Sequence, residues 1–424
     1  MSNIISLTIE NFRSYKEKTT FTFEAVDSDA RSGNYHDVKL ENGETIRLLN
    51  SAVIYGANAA GKSTIIIALW ALVSFVRSSR EKDSSSKLRY EPYLFSGKTK
   101  DAPIKITLDF VVNKKRYEYR ISYKRTGFVD EVLTDKTLDK ELFRKDKDGN
   151  VVFNKEIFPE FKQTTYLKNH LALSKLSLEA NPLIQSIYQE INSITTLPLL
   201  ENNDIWGNTQ DIASFIYQNP ESHFSRMIKN LIVSSDTQIL GFNVEKNDLR
   251  LPESWSDDEK KDFKKKYGYE IGMIHSTDEG DTAELSFKDE SAGTKTLFTA
   301  GARALLALET GKFLAYDEMN IALHPKLFRR LVELFHNKET NPNNAQLLIT
   351  THDTSLVEEN TMRTDQIWFV EKQNGVSNIY SAIDFEGVSV DQPIESWYRA
   401  GRLGAIPNIK PFDFDGIVDN NVNE

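Results

Sequence analysis

The sequence predicts an α/β fold. A mixed sheet flanked by helices is built from the two ends of the chain, and a mainly helical insert interrupts it. Three observations predict this. A glycine-rich loop near residue 56 joins an apolar strand to an apolar helix. Strand–helix alternation returns after residue 283. The intervening segment carries helical apolar spacing without sustained heptads.

The elements follow in order. "ISLTIENF" and "KTTFTFEAV" read as two strands joined by a short turn. "LLNSAVIY" is a buried strand and "STIIIALWALVSFV" the helix after the loop. Residues 78–87 are polar and serine-rich, hence a surface loop. "IKITLDFVV" and "KRYEYRISYK" alternate as an antiparallel pair around Asn113-Lys114-Lys115. Residues 161–194 read as helix broken at Pro182, and "FSRMIKNLIVSS" as a shorter helix. "AELSFKDE" is a strand and "GTKTLFTAGARALLALETG" a helix. "KFLAYDE" is a buried strand, "PKLFRRLVELFHN" a helix, and "AQLLITTH" a buried strand. "DQIWFVEK" pairs with "SNIYSAIDF" across Gln373-Asn374-Gly375. The expected divisions are an N-terminal lobe over 1–125, a mainly helical insert over 126–279, a C-terminal lobe over 280–410 and a disordered tail over 411–424.

Composition narrows the function classes. The 424 residues include no cysteine, which removes disulfides, zinc–thiolate sites and a cysteine nucleophile. Net charge is −10, so a uniformly basic nucleic-acid binder is excluded, although a local basic groove is not. The densest basic run, residues 259–269, follows acidic residues and reads as a mixed-charge solvated helix. The N-terminus lacks the basic and apolar regions of a signal peptide. The apolar run Ile65 to Val76 is shorter than the roughly 20 residues that span a bilayer. A soluble, cytoplasmic protein without membrane attachment is expected.

The glycine-rich loop carries the chemistry. Gly56, Ala57, Asn58, Ala59, Ala60, Gly61, Lys62, Ser63 and Thr64 fit the G-x-x-x-x-G-K-[ST] spacing. Glycines let successive N–H groups turn toward an anion, and the following helix adds its positive N-terminus. Lys62 would reach the outer phosphates of a nucleotide, and the Ser63 hydroxyl would ligate Mg²⁺. "FLAYDE" places Asp317 and Glu318 at the end of a buried strand: Asp317 to hold Mg²⁺, Glu318 to act as general base toward water. "LLITTHD" places His352 at the end of another strand, where a neutral imidazole can contact a γ-phosphate or water. In "DESAGTKTLF" the Ser291 hydroxyl stands at a helix start, either as a simple cap or as part of a second anion site.

In this order, the phosphate loop, "ESAGT", "FLAYDE", "LHP" and "TTH" resemble ATPases of the ABC/SMC/RecF class, and "LTIENFRSY" resembles their opening strand. More narrowly, "ESAGTKTLF", "DEMNIALHPKL", "DQIWFVEK" and "YRAGRLGAIPNI" resemble the RloA-like, AAA-type ATP-binding proteins of bacterial restriction and abortive-infection loci. The resemblance covers roughly residues 1–125 and 283–410. It implies a P-loop ATPase head of ABC/SMC type, with ATP and Mg²⁺ as its ligands. It also implies a homodimer or higher homo-oligomer, in which Ser291, Gly293 and Thr294 of one chain cap the γ-phosphate held by the other. Asn320 to His324 fall where the class places its subunit-crossing loop, His352 matches the switch histidine, and Arg13 matches a phosphate contact. "ESAGT" departs from the transporter form "LSGGQ", which argues against a transporter subunit, and no glutamine matches the metal-sensing position.

The function expected is ATP hydrolysis driving an antiphage-defence switch, which controls a separately encoded toxic effector, a nuclease from the same locus. The alternative is a DNA-binding ATPase of RecF/SMC type in DNA repair. A nonenzymatic protein with a degenerate site fits poorly, because Lys62, Ser63, Asp317, Glu318, Ser291 and His352 are all present. Asp413 to Asp415 could mimic a nuclease metal pair but have no strand context, so nuclease activity is assigned to a partner.

Overall fold

The computed structural model describes residues 3–179, 181–199, 207–235, 238–358 and 361–406. The expected tail over 411–424, including Asp413 to Asp415, lies outside the described residues.

A six-stranded sheet positions the site. In spatial order its strands are Thr195–Leu197, Phe313–Tyr316, Gln346–Thr350, Ser51–Gly56, Ile367–Gln373 and Val376–Ser381. The first five are parallel and the last antiparallel. Parallel strands are buried on both faces, which is why these read as continuous apolar runs. Ala52 and Ile54 enter one core, and Val53 and Tyr55 the other. The first core holds the helix Lys62–Ser78 between this sheet and a second, larger one. Helices Ala292–Thr310 and Pro325–Glu333 cover the opposite face through Phe298, Leu305, Phe328 and Leu331. The stretch Lys62–Glu81 is long and apolar enough to cross a membrane by composition alone, yet 72% of it is buried inside the protein.

The second sheet is antiparallel and has eight strands. Asn3–Glu10 lies between Thr19–Thr22 and Ile104–Val112, and the sheet continues through Lys115–Lys124, Gly127–Asp135, Lys140–Lys145, Asn150–Phe153 and Thr164–Thr165. This corrects the expected division at residue 125, which falls in the turn of a hairpin. The first forty residues of the expected insert carry strands of this sheet and no helix. The strand Gly127–Asp135 hides its nature because it carries Glu131 at a buried position. That carboxylate is satisfied by partners outside its own strand: the Tyr119 hydroxyl donates at 2.8 Å, the N–H groups of Ala172 and Leu173 at 2.6 and 3.0 Å, and the buried Lys145 stands opposite it on the next strand and opposes its desolvation. A three-stranded sheet (Ile239–Lys246, Tyr269–Ser276, Thr282–Ser286) packs with helices Gly207–Gln218 and His223–Val233, so the remainder of the insert carries strands among its more numerous helices. The basic run falls in helix Asp257–Tyr267, which has no buried residue, as expected of a solvated helix.

Pro182 begins a helix instead of breaking one. It occupies the first turn of Pro182–Ser193, and the Asn181 side chain accepts the Ile184 N–H at 3.1 Å.

Buried polar groups tie the termini together. Gln346 accepts the Ile4 N–H at 2.7 Å and donates to the carbonyls of Ile4 and Leu49. Arg363, fully buried, pairs with Asp365 at 2.7 Å and donates to the carbonyls of Val26, Ser28 and Ala30. Removing one member of such a pair strands the other charge, so Arg363→Ala should lower unfolding free energy by about 3–5 kcal/mol. An unchanged urea midpoint and slope would contradict it.

His336 lies under the phosphate-loop strand, half-buried with Nε2 2.7 Å from the Ser51 hydroxyl, and desolvation, aided by the Arg31 charge, pushes its pKa down to about 3. The unfolded imidazole titrates near 6.5. The folded state therefore resists protonation, and its stability is fully present above pH 6.5 and is lost as pH falls toward 3. His36 is displaced in the same direction by burial. Between pH 7 and 5, His336 alone should cost about 2 kcal/mol. Urea titrations at both pH values, with His336→Gln flattening the difference, check this.

Candidate active site

The phosphate loop leaves the carboxyl end of the strand Ser51–Gly56, between the ends of Gln346–Thr350 and Ile367–Gln373. Open α/β sheets gather ligands at this edge. Gly61 is the N-cap of helix Lys62–Ser78 at φ 117°, and a Cβ there would stand 2.7 Å from the Ser377 Oγ and 2.9 Å from the Ser14 Oγ. Both the backbone angle and the close approach require glycine. Three groups brace the loop from behind. The Tyr15 hydroxyl donates to the Gly61 carbonyl at 3.3 Å, the Ser377 hydroxyl donates to the Ala60 carbonyl, and the Ser377 N–H donates to the Ser14 carbonyl at 2.8 Å.

Strand order brings the other predicted residues to this loop. The carboxylate strand Phe313–Tyr316 neighbours the histidine strand Gln346–Thr350, which neighbours the loop strand. The Ser63 hydroxyl donates to Asp317 Oδ1 at 2.9 Å. The Thr350 hydroxyl donates to the same oxygen at 2.5 Å and accepts the Glu318 N–H at 2.9 Å, while the Leu199 N–H donates to Asp317 Oδ2 at 3.2 Å. Lys62 Nζ donates to His352 Nε2 at 2.8 Å and to the Gly56 carbonyl at 3.2 Å, and it stands 3.9 Å from Glu318 Oε1. His352 Nε2 is 3.5 Å from that same oxygen. Glu318 adopts φ 52°, an uncommon angle for a side-chain-bearing residue.

Burial dominates the electrostatics. It lowers the pKa of Lys62, against the pull of Glu318 and Asp317. It raises that of Glu318, a change opposed by the Lys62 charge and aided by Asp317. It lowers that of His352, helped by Lys62. The imidazole is therefore neutral near pH 7, with Nε2 as acceptor, and the Glu318 carboxyl is displaced toward the range useful to a base.

The donor set fits a nucleotide with Mg²⁺. Ser63 and Asp317 offer adjacent oxygens, and Mg²⁺ takes one or two protein oxygens, with phosphates and water completing an octahedron. Among the described residues no group of three or more His, Asp or Glu side chains could hold a metal alone, so completion would fall to the nucleotide and water. The N-terminus of helix Lys62–Ser78 carries no acidic residue and no side-chain cap, which leaves its N–H groups to an anion.

The family model described as "AAA domain, putative AbiEii toxin, Type IV TA system" matches residues 51–358. The chain belongs to that family. No curated protein matches this AAA-family chain. Among solved structures it is similar to the SMC head domain from Thermotoga maritima, at 18% identity, covering 89% of this chain and 98% of that one with a TM-score of 0.41.

Not every predicted residue of the AAA domain joins the cluster. Ser291 is exposed and caps its own helix, accepting the Thr294 N–H at 3.1 Å and sharing a hydrogen bond with the Thr294 hydroxyl at 2.9 Å. A Cβ on Gly293 would stand 2.9 Å from the Ala322 carbonyl, so this helix start abuts the loop that follows Glu318. Arg13 is held by Glu91. Its Nε donates to Glu91 Oε2 at 2.8 Å, and its backbone N–H to the Glu91 carbonyl. Sequence reasoning missed Thr350, Tyr15 and Ser377. Thr350 ends an apolar run as a lone hydroxyl, a visible signal, but its partner Asp317 is 33 residues away.

Proposed function

We propose that this AAA-family chain binds and hydrolyses ATP, and that it is the nucleotide-driven switch of an antiphage-defence module whose toxic effector is encoded separately. One observation carries the ATPase reading: Lys62, Ser63, Asp317, Glu318 and His352, drawn from three separate strand ends, converge within 3.9 Å links around one phosphate loop. Ser63 and Asp317 would hold Mg²⁺, which would supply charge neutralisation to the phosphates. Lys62, Ser63 and the helix N-terminus bind and orient the phosphates. Glu318 accepts the proton of the attacking water, and His352, held neutral, orients that water or the γ-phosphate. Thr350 fixes both carboxylates, gripping the side chain of Asp317 and the backbone of Glu318.

The exposed Ser291 cap supports a composite site. Its side chain is exposed and bonds only within its own helix turn, which leaves it available to the phosphate of a second copy, as the resemblance implies. Two ATP molecules would then lie between two chains. The defence role draws on the family description, which names a toxin of a type IV toxin–antitoxin system. It also draws on the absence of cysteine and of a metal cluster for a second chemistry among the described residues. A γ-phosphate bridging two chains can bias a two-state element by a few kcal/mol, about what a switch needs. Protection against some phage should be lost in Lys62→Ala and Glu318→Gln cells, and should require a second protein of the locus. A plaque assay with the locus and with this gene alone decides it, and full protection from this gene alone would sink the two-component reading.

A further inference from the structure

A cavity of about 870 Å³ opens beside the phosphate loop; Ser14, which crowds Gly61, is part of its wall. Cations from separate parts of the sequence meet there: Lys100, Lys124, Arg125 and Lys372. None of the four makes an ion pair with a described residue. Of the two carboxylates in the wall, Glu91 is engaged by Arg13 and Arg89 at 2.8 and 2.9 Å, which leaves Asp101 against four positive charges. In a chain of net charge −10 this is a local reversal of field.

The same wall carries the two large apolar side chains with the highest fractional exposure among the described residues. Phe95 is 75% exposed and Leu94 68%. The Phe95 ring is pinned on one side. It meets Tyr93 edge-on with centroids 5.6 Å apart, and a Cβ on Gly375 would lie 3.5 Å from it. Its other side faces solvent. An aromatic platform beside unpaired cations is the arrangement that stacks an unpaired base while holding its phosphates.

We propose that this cavity binds a short stretch of single-stranded nucleic acid, with phosphates on Lys100, Lys124, Arg125 and Lys372 and a base stacked on Phe95. Charge decides against the nucleoside of the ATP itself, which is neutral and would leave four cations uncompensated. Stacking decides against a duplex, whose bases are already stacked on one another. The site is separate from the hydrolytic cluster and does not depend on hydrolysis.

The test uses the full chain and fluorescence anisotropy with labelled oligothymidylate and oligouridylate of about 15 nucleotides. Saturable binding is expected, weakening about 50-fold between about 50 and about 200 mM salt, the slope of four phosphates on a single strand. Phe95→Ala should weaken it about tenfold and Phe95→Trp should restore it. Lys124→Glu with Arg125→Glu should abolish it while ATP turnover and the melting temperature stay near wild type. A duplex competitor should fail to displace the strand. The two oligonucleotides tell DNA from RNA, and binding of either supports the site. Absent binding overturns the proposal, as does binding indifferent to the charge reversals. A Phe95→Ala protein with unchanged oligonucleotide affinity and a raised KM for ATP would assign the cavity to the ATP base instead.

Discussion

Glu318→Gln is expected to bind ATP normally and to hydrolyse it about 10²- to 10⁴-fold more slowly. The amide keeps the shape of the carboxyl but takes no proton. The site is arranged so that this proton transfer matters. Burial raises the Glu318 pKa, Lys62 lies 3.9 Å away, and the φ of 52° is held by the Thr350 hydroxyl gripping the backbone N–H. Lys62→Ala should behave differently, losing nucleotide affinity along with turnover, because the cation on the outer phosphates is gone in ground state and transition state alike. Phosphate release and labelled-nucleotide binding, measured side by side, separate the two. Wild-type turnover in Glu318→Gln would remove it as the base and leave His352 as the nearest remaining acceptor.

Mixing two inactive proteins should restore activity. Lys62→Ala and Ser291→Arg chains should each hydrolyse ATP at background rates. A heterodimer of the two keeps one composite site, with Lys62 from one chain and Ser291 from the other. Up to half of the wild-type sites per heterodimer are then intact, so recovery toward roughly half the wild-type rate per heterodimer is expected if the sites act independently. Ser291 makes a clean probe because it is exposed and the only described bonds of its side chain are to Thr294 in its own helix turn. Loss of that cap costs about 1 kcal/mol, too little to unfold the chain. If heterodimers form, as judged by differently tagged chains, and no activity returns, the site is contained within one chain and Ser291 is a cap alone.

The phosphate loop, Asp317–Glu318 and His352 were legible in the sequence because each sits where a continuous apolar run stops. A strand buried on both faces needs such a run, and its carboxyl end is the first place a polar side chain can meet a ligand. Those signals are local, so residue type and spacing determined them. The hairpin Ile367–Gln373 to Val376–Ser381 was legible for the same reason, its Asn374-Gly375 turn being written in residues that accept positive φ. Tertiary structure decided what depends on neighbours distant in the chain. Glu131 masked a strand because its burial is made tolerable by the Lys145 charge, a remote helix start and Tyr119. Thr350 became the support of both carboxylates only when sheet order set its strand beside Phe313–Tyr316. Lys100, Lys124, Arg125 and Lys372 look like scattered surface charge until the strands and turns that carry them meet at one cavity. Covalent spacing writes the first kind of information into the sequence, whereas the second exists only once burial has chosen which strands lie side by side.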